Sequence, residues 1–154
     1  MLKFYNYDIV FAEIPDEVSL AINITNCPNR CKGCHSLWLW KDIGEPLTEE
    51  SLTLIVNEYL ENITCVCFMG GDNSPKEVNV LAEFVKKKFN KKTAWYSGKE
   101  EISTEVSLLN FDYIKTGAYK EECGPLKEKT TNQRLYKIEG GKIAGDLTYR
   151  FWKK

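Results

Sequence analysis

The chain lacks any long apolar run: nothing in its 154 residues approaches the ~20 consecutive apolar residues that cross a bilayer. Its start, Met1-Leu2-Lys3-Phe4-Tyr5-Asn6-Tyr7-Asp8, has a lysine but no apolar stretch behind it, so the expectation is a protein without an export signal, working in the cytoplasm. An excess of charge is missing too. Twenty-one Lys and Arg stand against 22 Asp and Glu, a formal net charge of -1, so no global field gathers nucleic acid or anionic lipid, and neither nucleic acid nor membrane is expected as a partner. Internal repeats and low-complexity linkers are absent. With 43% hydrophobic and 28% charged residues, the composition suits one compact domain over 1–154.

What is present, against this background, is cysteine. Six cysteines could mark a secreted disulfide framework, but such frameworks usually occur in chains under about 100 residues that carry an export signal. Metal or redox chemistry is the better expectation. Three of the six fall within Cys27-Pro28-Asn29-Arg30-Cys31-Lys32-Gly33-Cys34.

Apolar periodicity sets the elements around them. Val18 to Ile24 alternates apolar and polar residues and runs into Thr25, Asn26 and the cysteines, which predicts a strand ending in a loop. Leu52, Ile55, Val56, Tyr59 and Leu60 lie at helical spacing behind Thr48 as N-cap, with Glu49 and Glu50 at the positive end of the dipole. Thr64 to Met69 reads as a strand stopped by Gly70-Gly71-Asp72. Ser74 and Pro75 open a second helix carrying Val78, Leu81, Phe84, Val85 and Phe89 on one face. Lys92 to Ser97 predicts a third strand, Glu100 to Leu109 a weaker helix, and Phe111 to Lys115 a fourth strand. Leu135 to Ile138 and Lys142 to Leu147, separated by Glu139-Gly140-Gly141, predict a hairpin on one sheet edge. Strands alternating with helices imply βαβ units on a parallel sheet. A complete (β/α)8 barrel needs about 250 residues. The expected fold is therefore α/β, an incomplete, open (β/α) barrel with parallel strands plus a C-terminal hairpin.

The triad sits where parallel α/β proteins build sites, at the C-terminal end of a strand. One reading is a structural zinc loop, but zinc wants four N or S ligands in a closed tetrahedron. His35, the only histidine, directly follows Cys34, and adjacent residues seldom ligate one tetrahedral ion well. It is expected to pack beside the site, not to act as a base. A 4Fe-4S cluster on three thiolates keeps one iron open to a substrate. Cys65 and Cys67 lie on one face of a predicted strand and read as small buried hydrophobes, whereas Cys123 has no assigned role. Trp38 and Trp40 read as core or surface cover, and the lysines at 86 to 88 as a helix C-terminus facing solvent.

Cys-x-x-x-Cys-x-x-Cys resembles the signature of the radical S-adenosylmethionine superfamily. The resemblance implies a cluster on Cys27, Cys31 and Cys34 whose open iron chelates S-adenosylmethionine and whose electron cleaves it to a 5'-deoxyadenosyl radical. Gly70-Gly71-Asp72 is similar to the glycine-glycine-acid motif that meets the methionine moiety in that superfamily; bare backbone allows close approach, and a carboxylate can pair with an ammonium group. Tyr96-Ser97-Gly98 resembles the Tyr-Thr-Gly segment of the anaerobic ribonucleoside-triphosphate reductase activating proteins, which implies a polar contact from Ser97 to the cofactor. Lys115 and Thr116, where those activating proteins often carry Val-Asp, could reach a carboxylate or ribose. Thr130-Thr131-Asn132-Gln133-Arg134 resembles their Ser-x-Asn-Gln-Arg element. The resemblance implies an anaerobic activase that installs a glycyl radical on the reductase, fed by reduced flavodoxin or a similar donor. Alternatives are an activase of another glycyl radical enzyme, a small-molecule radical S-adenosylmethionine enzyme, and a non-catalytic metal-binding docking module.

Overall fold

The computed structural model describes residues 2–25 and 43–152. Cys27, Cys31, Cys34, His35, Trp38 and Trp40 lie outside the described residues. One eight-stranded sheet organises the rest, in the order β3-β1-β2-β4-β5-β6-β7-β8. The strands are β1 (Lys3–Val10), β2 (Ser19–Ile24), β3 (Glu45–Pro46), β4 (Cys65–Met69), β5 (Lys92–Tyr96), β6 (Tyr113–Thr116), β7 (Arg134–Glu139) and β8 (Lys142–Asp146). The helices are α1 (Glu49–Tyr59) and α2 (Pro75–Phe89). Strands β2, β4, β5 and β6 are parallel, and β1, β3, β7 and β8 are antiparallel to their neighbours. The sheet does not close: β3 ends it on one side and β8 on the other. The architecture is the expected open α/β sheet with a C-terminal hairpin.

Alternation along the parallel strands gives the sheet two distinct faces. Leu20 and Ile22 of β2, Val66 and Phe68 of β4, Trp95 of β5 and Ile114 of β6 share one core with Leu52, Ile55 and Val56 of α1 and Val78, Leu81, Ala82 and Val85 of α2. Both helices therefore cover the same face. On the other face Cys65, Cys67, Ala94, Tyr113 and Leu135 pack against Ile14. Ile14 comes from the β1–β2 connection, which crosses this face in place of a helix.

Helix α1 begins as the sequence indicates, at Thr48. Its hydroxyl accepts from the Ser51 N–H at 3.2 Å, and the Ser51 hydroxyl accepts from the Thr48 N–H at 2.8 Å, a reciprocal cap on two otherwise orphaned donors. Helix α2 has Ser74 at the cap position without a side-chain hydrogen bond; Pro75 opens it, and Asn90 in the left-handed region (φ 54°) ends it.

Besides the two-residue strand β3 and the 3-10 turn Thr148–Phe151, which the sequence pattern does not predict, two elements differ from expectation. Strand β1 is not apparent in the sequence because the register shifts between Phe4 and Asn6, and such an irregularity breaks the period-2 pattern. The helix expected over Glu100 to Leu109 is absent; only a 3-10 turn, Leu108–Asn110, forms there. Local side chains capture the backbone instead. Ser103 accepts from the Glu105 N–H at 3.1 Å, Ser107 from the Leu109 N–H at 3.3 Å, and Asn79 from the Ser107 N–H at 2.8 Å. Ile102, Val106 and Leu108 still pack onto the helix-side core.

Candidate metal and cofactor site

The C-terminal ends of β2, β4, β5 and β6 form one rim, and of the predicted residues Gly70, Gly71, Asp72, Ser97 and Lys115 lie along it, while Cys27, Cys31 and Cys34 lie outside the described residues. Gly70 and Gly71 follow β4 with φ of 110° and 95°, a region where L side chains are strained. A Cβ on Gly70 would lie 3.2 Å from the Ile24 carbonyl oxygen at the end of β2, and one on Gly71 would lie 2.6 Å from Val78 Cγ2 of α2. The turn is thus wedged between the neighbouring strand end and the helix it leads into. The buried Trp95 indole N–H donates to the Gly70 carbonyl at 2.7 Å, and the Ser74 N–H to the Gly71 carbonyl at 3.0 Å.

Asp72 links this turn to the next. One carboxylate oxygen accepts from the Ser97 hydroxyl at 2.6 Å, the other from the Gly98 N–H at 2.7 Å. Ser97 is buried, and its hydroxyl also accepts from the Lys99 N–H at 3.1 Å. Lys115 continues the series. Its carbonyl accepts from the Ser97 N–H at 2.8 Å, while its buried ammonium group donates to the Gly117 carbonyl at 2.9 Å and stands 5.3 Å from the centre of the Tyr96 ring. Carbonyl oxygens and a ring face are what a desolvated ammonium group requires.

Gly117 follows β6 on the same rim. A Cβ there would lie 3.0 Å from Gln133 Cα and 3.3 Å from the Asn132 carbonyl oxygen. Asn132 Nδ2 donates to the Ala118 carbonyl at 2.9 Å and to Glu100 Oε1 at 3.1 Å, drawing the loops after β5 and β6 together. The Thr130 to Arg134 motif therefore acts, on this geometry, as a clasp over two strand ends. Its Oδ1 is buried with no hydrogen-bond partner.

Sequence reasoning missed the base of the cysteine stretch. Thr25 is fully buried, and its hydroxyl donates to the Ile43 carbonyl at 2.6 Å, so the chain leaves and rejoins the described fold at one point beside the end of β2. Only Thr25 itself, directly before the cysteines, marked the position.

Cys65 and Cys67 are fully buried on the face opposite the helices, as their spacing indicates. Burial pushes the Cys65 thiol up to about 12 and the Cys67 thiol well above its ordinary value, so both stay neutral in this apolar setting. Among the described residues no group of three or more His, Cys, Asp or Glu side chains could hold a metal ion, and no helix is long and apolar enough to cross a membrane. The only thiol constellation is the triad at 27, 31 and 34.

Comparison with curated proteins and with solved structures returns no match. A family described as the 4Fe-4S single cluster domain matches residues 18–136, from the start of β2 into β7, a span that takes in the triad and the whole rim. That is well over half of the chain, and the protein belongs to the 4Fe-4S single cluster domain family.

Proposed function

We propose that the protein is a radical S-adenosylmethionine enzyme, with its cluster on Cys27, Cys31 and Cys34 and its cofactor beside Gly70, Gly71, Asp72, Ser97 and Lys115. Its activity on this reading is that of an activase, generating a glycyl radical on an anaerobic ribonucleoside-triphosphate reductase. One observation carries the reading. Thr25 and Ile43, which bracket the triad in sequence, adjoin the strand end against which the Gly70-Gly71-Asp72 turn packs, so the stretch that carries the triad starts and ends beside that turn.

The donor set fits the group. Three thiolates at this spacing, with no fourth nearby in sequence, match a cluster that keeps one iron open. When bound, the cluster supplies a Lewis-acidic iron and a low-potential electron. The chain's own residues supply the rest: the glycines let the turn pack closely against the end of β2 and against α2, Asp72 offers negative charge for an ammonium group, and Lys115 offers positive charge for a carboxylate. Reduced flavodoxin or a similar protein suits the electron donor. The open sheet favours a large substrate that closes the site with its own surface.

A second reading has its own support. Val78, Ile24, Ser97 and Gly98 account for both glycines and the aspartate without any cofactor, as a non-catalytic iron–sulfur docking module would need. One experiment separates the two. Anaerobically reconstituted protein, mixed with reduced donor, S-adenosylmethionine and the reductase, is expected to form 5'-deoxyadenosine and a glycyl radical signal by electron paramagnetic resonance. Cys31→Ala is expected to lose iron, cleavage and signal together. Iron without cleavage supports the module; cleavage without a glycyl radical supports another radical enzyme.

A further inference from the structure

We propose that the Thr25 hydroxyl is a positioning device for the iron–sulfur cluster, holding the two ends of the cysteine-bearing stretch together before any iron arrives. The inference rests on the reading that Cys27, Cys31 and Cys34 hold the cluster.

The Thr25 N–H donates to the Lys3 carbonyl at 2.9 Å, which completes the pairing of the β2 end with β1. The hydroxyl lies 2.6 Å from the Ile43 carbonyl and 3.3 Å from that of Lys3. A hydroxyl has one proton, so the short contact to Ile43 takes it, and Lys3 keeps the amide. The backbone group thus serves the sheet, while the side chain serves the returning chain.

That return is fixed independently. Gly44 has φ of 100°, and a Cβ on it would fall 2.1 Å from the Phe4 carbonyl oxygen, so the backbone there lies directly on β1. Glu45 and Pro46 then pair with Phe4 and Lys3, and the Leu47 N–H donates to the Leu2 carbonyl at 2.8 Å. Strand β1 is therefore a spacer with β2 on one side and β3 on the other, and Thr25 bridges across its first residues.

Cluster binding and ordering of the chain that carries the ligands share one free energy. Joining the ends of a loop costs entropy that grows with the logarithm of its length. With the ends already joined, cluster binding does not have to meet that cost. Without the bridge the returning chain is held only from Gly44 onward, so cluster binding must also fix the Ile43 end beside β2, and the cluster is held less tightly.

The test uses anaerobically reconstituted protein and reads iron transfer to a ferrous chelator, alongside thermal unfolding of the metal-free form. Thr25→Val keeps the shape and the N–H but loses the hydroxyl. It is expected to release iron about tenfold faster than the native protein, with the metal-free midpoint shifted by no more than about 2 °C. Thr25→Ser is expected to release iron at the native rate. Ile138→Val, in the core at the far end of the sheet, lowers the midpoint without touching the bridge and is expected to leave release unchanged. Thr25→Ala, which adds no bulk, is the second hydroxyl-free variant. Release from Thr25→Val at the native rate overturns the proposal. So does release that merely follows the midpoint across Thr25→Val, Thr25→Ala and Ile138→Val, or failure of both hydroxyl-free variants to fold. Full iron retention by Cys31→Ala overturns the cluster reading itself, and the proposal with it.

Discussion

At the scale of single residues, the question the rim raises is what Asp72 is for. Its two oxygens accept from Ser97 and Gly98, so the side chain has a structural task whatever else it meets. The two tasks respond differently to substitution. Ser97→Ala removes one tie and keeps the carboxylate; Asp72→Asn keeps the shape but removes the charge. If the carboxylate meets the cofactor's ammonium group, Asp72→Asn is expected to weaken S-adenosylmethionine binding about tenfold or more, the worth of a charge-assisted hydrogen bond, while Ser97→Ala changes it less than threefold. Titration calorimetry on reconstituted protein makes the comparison, and equal losses would assign Asp72 to the tie alone. Residues such as these were legible because their motifs are local: two glycines and an acid directly after a strand, or two cysteines on one strand face. The partnership of Thr25 with Ile43 was not, since it spans 18 residues and depends on how β1 and β3 pair.

At the scale of elements, patterns that repeat were readable and those that a single irregularity interrupts were not. Both helices, the four parallel strands and the hairpin follow from unbroken periodicity. Strand β1 was hidden by its register shift, and the segment from Glu100 to Leu109 was misread because its serines hold the backbone in turns. The hairpin's edge strand contains a second register shift, facing Lys137 and Ile138, which together with Lys142 blunts an otherwise exposed edge. The junction of β4 with α2 offers a test of how tightly elements constrain one another. Gly71→Ala must accommodate φ of 95° and a Cβ 2.6 Å from Val78 Cγ2. Its expected cost is about 2 kcal/mol, of which the clash is one part and the backbone strain the other. In a Val78→Ala background the clash disappears and the strain stays. Urea unfolding of the four proteins in the cycle is expected to show Gly71→Ala costing less when Val78 is already Ala, and strictly additive costs would mean that the contact is relieved by helix movement instead.

For the whole molecule, the connection from β1 to β2 is the piece that joins distant parts. Ile14 fills the face opposite the helices, the Tyr96 hydroxyl donates to the Glu13 carbonyl, and Arg150 pairs with Asp16 across 134 residues of sequence. Glu17 is the centre of this arrangement. Its buried carboxylate accepts from Thr64 Oγ1 at 2.7 Å, Lys92 Nζ at 2.8 Å and the Tyr113 hydroxyl at 2.7 Å, so one side chain gathers the entrances to β4, β5 and β6. Burial alone would raise its pKa, but the hydrogen bonds from Lys92, Thr64 and Tyr113 outweigh burial and hold it below the ordinary 4.5. A carboxyl lowered by folding contributes stability that is complete above its unfolded value and is lost as pH falls through its folded value. Glu17→Gln cannot titrate, and groups common to both proteins cancel in the difference between them. That difference in unfolding free energy is expected to be about 2 kcal/mol at pH 7 and to shrink once the pH drops below about 4.5. Urea unfolding at intervals from pH 7 to pH 3 measures it, and a gap that stayed constant over that range would show that the second acceptor oxygen that Gln lacks, not the charge of Glu17, holds the strand entrances together.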